Sequence, residues 1–155
     1  MTKSNIVLTY DRIVSLNDVD IPYLTSILSL PEISKFISIN ESNYWNYITR
    51  TESVFYYKIF VENNLVAATH IEKSNNILYM DIMVIPEYQR KGIATAILGD
   101  IISGKPQIEF DKIEVSIDEH NIASIKLFDK MNFIFVSKEN ELLNYTYSLQ
   151  KDPPI

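Results

Sequence analysis

The run Gln89-Arg90-Lys91-Gly92 sets an amide, two cations and one of only three glycines side by side. It follows the apolar stretch "DIMVIP" and precedes "IATAIL", so it joins a strand-like segment to a helix-like one. The first N–H groups of a helix have no partner within it, and the helix dipole adds partial positive charge at that end. A turn of this kind attracts an anion such as a phosphate. Gly92 lets the backbone come close without a Cβ in the way, and small Ala94 also permits close approach. Arg90 and Lys91 add positive charge to a chain whose formal net charge is −6. The chemistry implied is the cradling of a phosphate or pyrophosphate; a structural turn with solvated cations is the competing reading. The glycine spacing and Lys-Ser/Thr pair of a nucleoside-triphosphate loop are absent, as are the three glycines of a dinucleotide fingerprint.

The elements that position this turn follow from periodicity. "NIVLTYDRIVSL" alternates like a strand, and "NDVD" then supplies N-cap residues for a helix with Pro22 in its first turn. That helix is expected to reach about Leu30, where Pro31 interrupts it. "ESNYWNYITR" is expected to form a second short helix. "VFYYKIFVE", "LVAATHIEK" and "ILYMDIMVI" are rich in β-branched and aromatic residues and read as a three-stranded antiparallel meander. Its turns are expected at Asn63-Asn64 and at Ser74 to Asn76, because asparagine tolerates positive φ. Ile93, Ile97, Leu98 and Ile101 share one helix face, and Gly104 and Pro106 end that helix. "KIEVSID" reads as a strand. "NIASIKLFDKM" reads as an amphipathic helix with Ile122, Ile125, Leu127, Phe128 and Met131 as its apolar set and Asn132 as a left-handed cap. "FIFVSK" and "LLNYTYSLQ" make a final strand pair. The order β, α, α, β, β, β, α, β, α, β, β describes an α/β layer fold with a mixed sheet.

The totals bound the possibilities. A chain of 155 residues, 46% hydrophobic and 12% aromatic, suits one domain with a real core, expected over 1–150 with a frayed tail at 151–155. There is no apolar run long enough to span a bilayer, and the N-terminus lacks the apolar stretch and cleavage site of a signal peptide. The absence of cysteine excludes disulfides, thiolate catalysis and zinc-thiolate sites, and a cytoplasmic setting is expected. The acidic balance makes the chain a poor general binder of nucleic acid. It serves solubility first, and it also suits a cationic substrate.

Two stretches carry a family resemblance. "DIMVIPEYQRKGIATAIL" resembles the central motif of the GNAT acyltransferases, Gln/Arg-x-x-Gly-x-Gly/Ala after a strand ending in a V-x-P type segment. "VSIDEHNIASIKLFDKMNFIFV" resembles the later motif of that family through Asn121, Ala123, Ser124, Phe128 and Asn132-Phe133. The two stand in the family's order, and the element order agrees with its fold: a mixed, mainly antiparallel central sheet flanked by helices. "LSLPEISKFISINESNYWNYI" is similar to the ribosomal-protein N-terminal acetyltransferase branch, and no acceptor is read from it.

The resemblance implies an acetyl-CoA-dependent N-acetyltransferase that holds acetyl-CoA between two splayed parallel strands, here "LYMDIMV" and "KIEVSID". Pantetheine would meet the backbone near Ile82, Met83 and Val84, and the pyrophosphate would lie on the amides from Gln89 to Thr95, through Arg90, Lys91, Gly92, Ile93 and Ala94. Asn121 would face the pantetheine arm with Ser124 close by, and Phe128 would pack on it. Lys126 and Lys130 are partners for the 3′-phosphate or else solvated helix lysines. No metal is implied. Transfer to an amine would be direct, with the Val84 N–H as oxyanion donor and Asp81 as first choice of base. Glu72 and His70 sit two apart on the preceding strand, on one face across from Asp81; each also reads as structural, as does Asp81.

Many members carry a tyrosine at the Phe128 position to protonate the leaving thiolate. Either no acid is needed here, or Tyr145 or Tyr147 serves. Tyr44, Trp45 and Tyr47 line an acceptor pocket or belong to the core. The partners expected are acetyl-CoA and an amine, with no nucleic acid and no membrane, in a monomer or homodimer. A non-catalytic CoA-binding module is the alternative.

Overall fold

The computed structural model describes residues 5–37, 39 and 43–149. Its strands are β1 (Thr9–Arg12), β2 (Val54–Val61), β3 (Asn64–Ser74), β4 (Ile77–Val84), β5 (Lys112–Asp118), β6 (Ile134–Glu139) and β7 (Leu142–Ser148). Its helices are α1 (Ile21–Leu28), α2 (Pro31–Ser34), α3 (Tyr44–Arg50), α4 (Ile93–Ile102) and α5 (Ile122–Lys130), with a 3-10 turn at Pro86–Tyr88. The strands form one mixed sheet in the order β1-β2-β3-β4-β5-β7-β6. Every neighbouring pair is antiparallel except β4 and β5, which run parallel.

The sheet buries both faces because β4 alternates. Leu78, Met80, Ile82 and Val84 belong to the core under α4 and α5, with Ile97, Leu98, Ile113 and Phe128. Met83 and Ile85 belong to a second core under α1–α3, with Leu24, Trp45, Ile48 and Tyr56. Asp81 shares the parity of Met83 and so faces the α1–α3 side. All four residues predicted for the buried stripe of α4, Ile93, Ile97, Leu98 and Ile101, are at most 5% exposed. In α5 Phe128 is buried and Ile125, Leu127 and Met131 pack on the core, but Ile122 is 55% exposed. Six residues before Phe128, it lies about 120° round the helix from the buried stripe.

Several local expectations shift. Pro31 ends α1 but also opens α2 at its first position, so a third helix stands between β1 and β2. The hairpin turns need positive φ at both central residues. Glu62 and Asn63 fill them in the first (φ 56° and 94°), with Asn64 already in β3, and Asn75 and Asn76 in the second. Asn132 is left-handed as expected, at φ 68°. Glu41 and Ser42 of the expected second helix and the tail from Gln150 lie outside the described residues. Among those described, no helix is long and apolar enough to cross a membrane.

The "NDVD" segment does not cap α1 with a side chain. Its carboxylates have another task. Lys58 on β2 is 4% exposed on the face shared with Val54 and Tyr56. Its Nζ lies 2.9 Å from Asp18, 2.8 Å from Asp20 and 3.2 Å from Asp11. Burial alone would lower the pKa of this lysine, but hydrogen bonds to Asp20, Asp18 and Asp11 outweigh it and raise the value. The cluster clips the turn that enters α1 onto the sheet, and thereby sets where α1 and α2 stand.

Candidate active site

The parallel pair is incomplete. β4 and β5 register only at Ile77↔Lys112, Leu78↔Ile113 and Tyr79↔Glu114. Beyond these the strands part, while β4 keeps its ladder to β3 and β5 its ladder to β7. Backbone groups alternate along a strand, which decides what each residue offers to the gap. The Ile85 N–H donates to Val66 on β3. By alternation the groups of Met83 and Asp81 also face β3, and those of Met80, Ile82 and Val84 face the gap. Gln89 Nε2 donates to the Val84 carbonyl at 3.1 Å, on that open side. Of the three residues expected to meet pantetheine through the backbone, Ile82 and Val84 present their groups to the gap. Those of Met83 are turned to Ala68.

The gap ends at the turn before α4. Gly92 is the N-cap residue at φ 81°, and Arg90 also has positive φ. The first helical bond runs from the Ala96 N–H to the Gly92 carbonyl. The amides of Ile93, Ala94 and Thr95 therefore have no partner inside the helix. A Cβ on Gly92 would meet only the Ile6 side chain, at an ordinary 3.7 Å. Glycine is required here by the left-handed backbone, more than by space for an anion.

The other wall comes from α5. Asn121 caps it, its Oδ1 accepting from the Ser124 N–H at 3.2 Å. Phe128 is buried and meets Phe133 edge to face, with ring centroids 4.9 Å apart. Lys130 reaches across to α4 and donates to Thr95 Oγ1 at 3.1 Å, which puts this ammonium beside the α4 N-terminus. Lys126 is exposed.

A cavity of about 580 Å³ follows the gap, and the residues expected around the pantetheine and pyrophosphate line it except exposed Lys91; Lys126 and Lys130, expected at the 3′-phosphate, do not line it. A second cavity of about 630 Å³ lies on the α1–α3 face and is lined by Glu72, His70 and Asp81. The two share Phe36, Ile37, Met80, Asp81, Val115 and Ser116, so they meet at the splay.

His70 registers with Asp81, and Glu72 with Tyr79, on one face of the sheet. The Tyr44 hydroxyl and His70 Nδ1 share a 2.9 Å hydrogen bond, and the Tyr47 hydroxyl donates to Glu72. His70 Nε2 is 3.8 Å from Glu72 and has no hydrogen-bond partner. Burial lowers the pKa of His70 more than Glu72 raises it. Burial pushes the Asp81 carboxyl up from 3.8 to about 7; the His70 backbone amide pulls it down and Glu72 pushes it up further. The result is a carboxyl that exchanges its proton near neutrality, at the junction of the two cavities.

The aromatic residues of α3 divide. Trp45 is core: it packs edge on to Tyr56 and its Nε1 donates to Thr25 at 2.9 Å. Tyr44 and Tyr47 back the His70–Glu72 pair. Tyr145 is buried and lines the second cavity, whereas Tyr147 packs on Phe133 and lines neither. Sequence reading missed Phe36 and Ile37 just past α2, and Tyr79, Glu114 and Glu139. The signal for Tyr79 and Glu114 was strand parity with Asp81 and Ser116. Phe36 and Ile37 had none, because α2 was not anticipated.

The profile described as the acetyltransferase (GNAT) family matches residues 22–133. No protein of curated function matches. Among solved structures, a domain from Methanocaldococcus jannaschii superposes with a TM-score of 0.77 at 21% identity, over 92% of this chain and 99% of that one. The spermidine N-acetyltransferase of Vibrio cholerae, in complex with CoA and spermine, gives 0.76 at 13%, over 91% and 95%. The Campylobacter jejuni N-acetyltransferase PseH, in complex with acetyl coenzyme A, gives 0.68 at 10%, over 93% and 100%. At these identities the likeness is one of fold.

Proposed function

We propose, from the premise that this chain belongs to the GNAT acetyltransferase family, that it transfers the acetyl group of acetyl-CoA directly to a primary amine. The observation that carries the proposal is the β4–β5 gap, which leads from the free amides of α4 to a carboxyl with a near-neutral pKa. Acetyl-CoA supplies the acyl group as a thioester. The amides of Ile93, Ala94 and Thr95 hold the pyrophosphate, with Gln89, Arg90, Lys91 and Gly92 around it and Lys130 at its rim. Ile82 and Val84 pair with pantetheine as a substitute strand, and Asn121, Ser124 and Phe128 form the opposite wall.

Asp81 takes the proton of the attacking ammonium, since its pKa suits a base near neutral pH. The oxyanion donor is better assigned to Ile82 than to Val84. Both N–H groups face the gap, but Ile82 adjoins Asp81, where acceptor and thioester must meet, and Val84 is left to the pantetheine. Glu72 and His70 bias Asp81 and line the acceptor path. Phe128 has no proton to give, and a thiolate leaves without one; Tyr145 packs in the same core as Phe128, under α4 and α5, and is assigned no role in the transfer.

Thiol release from acetyl-CoA across a panel of primary amines tests the proposal. Release that depends on amine supports it. Phe128 in the usual tyrosine place favours one other reading, a CoA-binding module without catalysis, and tight CoA binding with no release would establish that reading instead. Gly92→Glu is expected to weaken CoA binding by about tenfold or more, because a strained backbone and a carboxylate then face the phosphates. Calorimetry checks this, and an unchanged Kd in the folded variant would displace the pyrophosphate from this turn.

A further inference from the structure

Where the gap closes, the residues common to both cavities are Phe36, Ile37, Met80, Asp81, Val115 and Ser116, four of them apolar. β4 and β5 pair as far as Tyr79 and Glu114, so the space along the strands ends there. By parity Met80 and Val115 face the α4–α5 core, and Asp81 and Ser116 face the α1–α3 side. The core under Met80 and Val115 is filled: Leu78 and Ile113 are fully buried and Phe128 nearly so. An acyl group carried to this point on pantetheine has one way to go, out of the sheet towards α2.

There it meets Phe36 and Ile37. The backbone N–H groups of both residues donate to the Ile33 carbonyl, each at 3.0 Å, and fix the turn that ends α2. Ile37 packs on the core under α1–α3, whereas the Phe36 ring joins neither core among the described residues. The Lys35 ammonium lies 4.9 Å from the centre of that ring and steadies it. An aromatic side chain that lines both cavities and supports neither core serves the cavities. Beyond it the groove on the α1–α3 side turns acidic, lined by Glu72, Glu114 and Glu139. An alkyl chain that reached them would strip water from carboxylates and offer no hydrogen bond in return.

We propose that Phe36, backed by Ile37, sets the length of the acyl group that the protein accepts from CoA. The throat between Phe36, Ile37, Met80 and Val115 takes an acyl group of about two or three carbons, and the Phe36 ring stops a longer one before the carboxylates. Propionyl-CoA is thereby a second donor. The proposal deepens the acetyltransferase reading and rests on it. It concerns the donor alone. Whatever the acyl length, the C–S bond breaks as the N–C bond forms, and the sulfur leaves with its electron pair.

Calorimetric Kd values for CoA, acetyl-CoA, propionyl-CoA and hexanoyl-CoA test this on the full chain and need no acceptor. Acetyl-CoA and propionyl-CoA are expected to bind within about twofold of each other, and hexanoyl-CoA about tenfold more weakly than either. Phe36→Ala is expected to recover about tenfold for hexanoyl-CoA and to leave CoA itself unchanged, because the ring is lost from the throat and from neither core. Phe36→Trp has the opposite sign and should weaken propionyl-CoA by about fivefold against acetyl-CoA. The Kd for CoA reports in each variant that the fold is kept. Hexanoyl-CoA bound as tightly as acetyl-CoA by the unmodified chain, or a series of Kd values that neither substitution alters, would overturn the proposal while acetyl transfer stood. CoA that failed to bind at all would overturn the acetyltransferase reading and this proposal with it.

Discussion

Asp81→Asn is expected to lower kcat/KM for the amine by about 10²- to 10⁴-fold, the range for loss of a positioned base. The Kd for acetyl-CoA should change little, because the backbone of Asp81 faces β3 and not the gap. In the unmodified chain kcat/KM should rise with pH through about 7, where the Asp81 carboxyl ionises. That limb should vanish in the variant. The same pKa makes a stability prediction of opposite sense. An acid whose folded pKa is raised holds its proton more tightly when folded, so its favourable contribution is complete below its unfolded value and is lost as pH rises through the folded one. Between 3.8 and about 7 the folded state therefore loses stability at this site as pH increases. Asparagine avoids the cost of a buried charge, so the variant should melt a few degrees higher at pH 8 and show no such advantage near pH 4. Gain of stability with loss of activity separates a base from a merely structural carboxyl. Retained activity across pH would remove Asp81 from the reaction.

Lys58→Ala should be the most destabilising single change outside the apolar cores. Its ammonium is 4% exposed and neutralises Asp18 and Asp20, whose side chains are 13% and 30% exposed; Asp11, at 65%, rehydrates freely. Removing one side of a buried ion cluster costs about 3–5 kcal/mol, and solvent access to the aspartates reduces this to about 2–4. Melting should fall by about 10 °C. The sign with pH follows from the raised lysine pKa: the stabilisation is complete below the ordinary 10.5 and is lost only in more alkaline solution. Thermal unfolding from pH 6 to 9 should therefore show a constant gap between the two chains. A gap under 1 kcal/mol would mean that the turn before α1 holds its place without this clip.

Much of this arrangement was legible because it follows from period and turn chemistry. Ile93, Ile97, Leu98 and Ile101 mark α4, paired asparagines mark the second hairpin and only one residue of the first turn, and Gly92 marks the α4 cap. The parity of Asp81 with Met83 fixes which residues share a face, but not which face the N-terminal helices cover. The splay was visible only through resemblance, because it is an absence of pairing between β4 and β5 past Tyr79 and Glu114, and neither strand's own residues record it. Lys58 passed as one more strand residue, since its partners lie about 40 positions away. Pro31 was legible as a stop and not as the start it also is. The acidic groove draws Glu72, Tyr79, Glu114 and Glu139 from four different strands, and the sheet order that brings them together is not written in any one segment.

A crystal structure of the chain with CoA bound tests the central claim most directly. It should show pantetheine between β4 and β5, hydrogen-bonded to the backbone of Ile82 and Val84. The pyrophosphate should rest on the amides of Ile93, Ala94 and Thr95, and the sulfur should lie nearest Asp81, at the mouth of the acidic groove. CoA bound anywhere else, or β4 and β5 zipped together past Tyr79 and Glu114 with no room for it, would contradict the account.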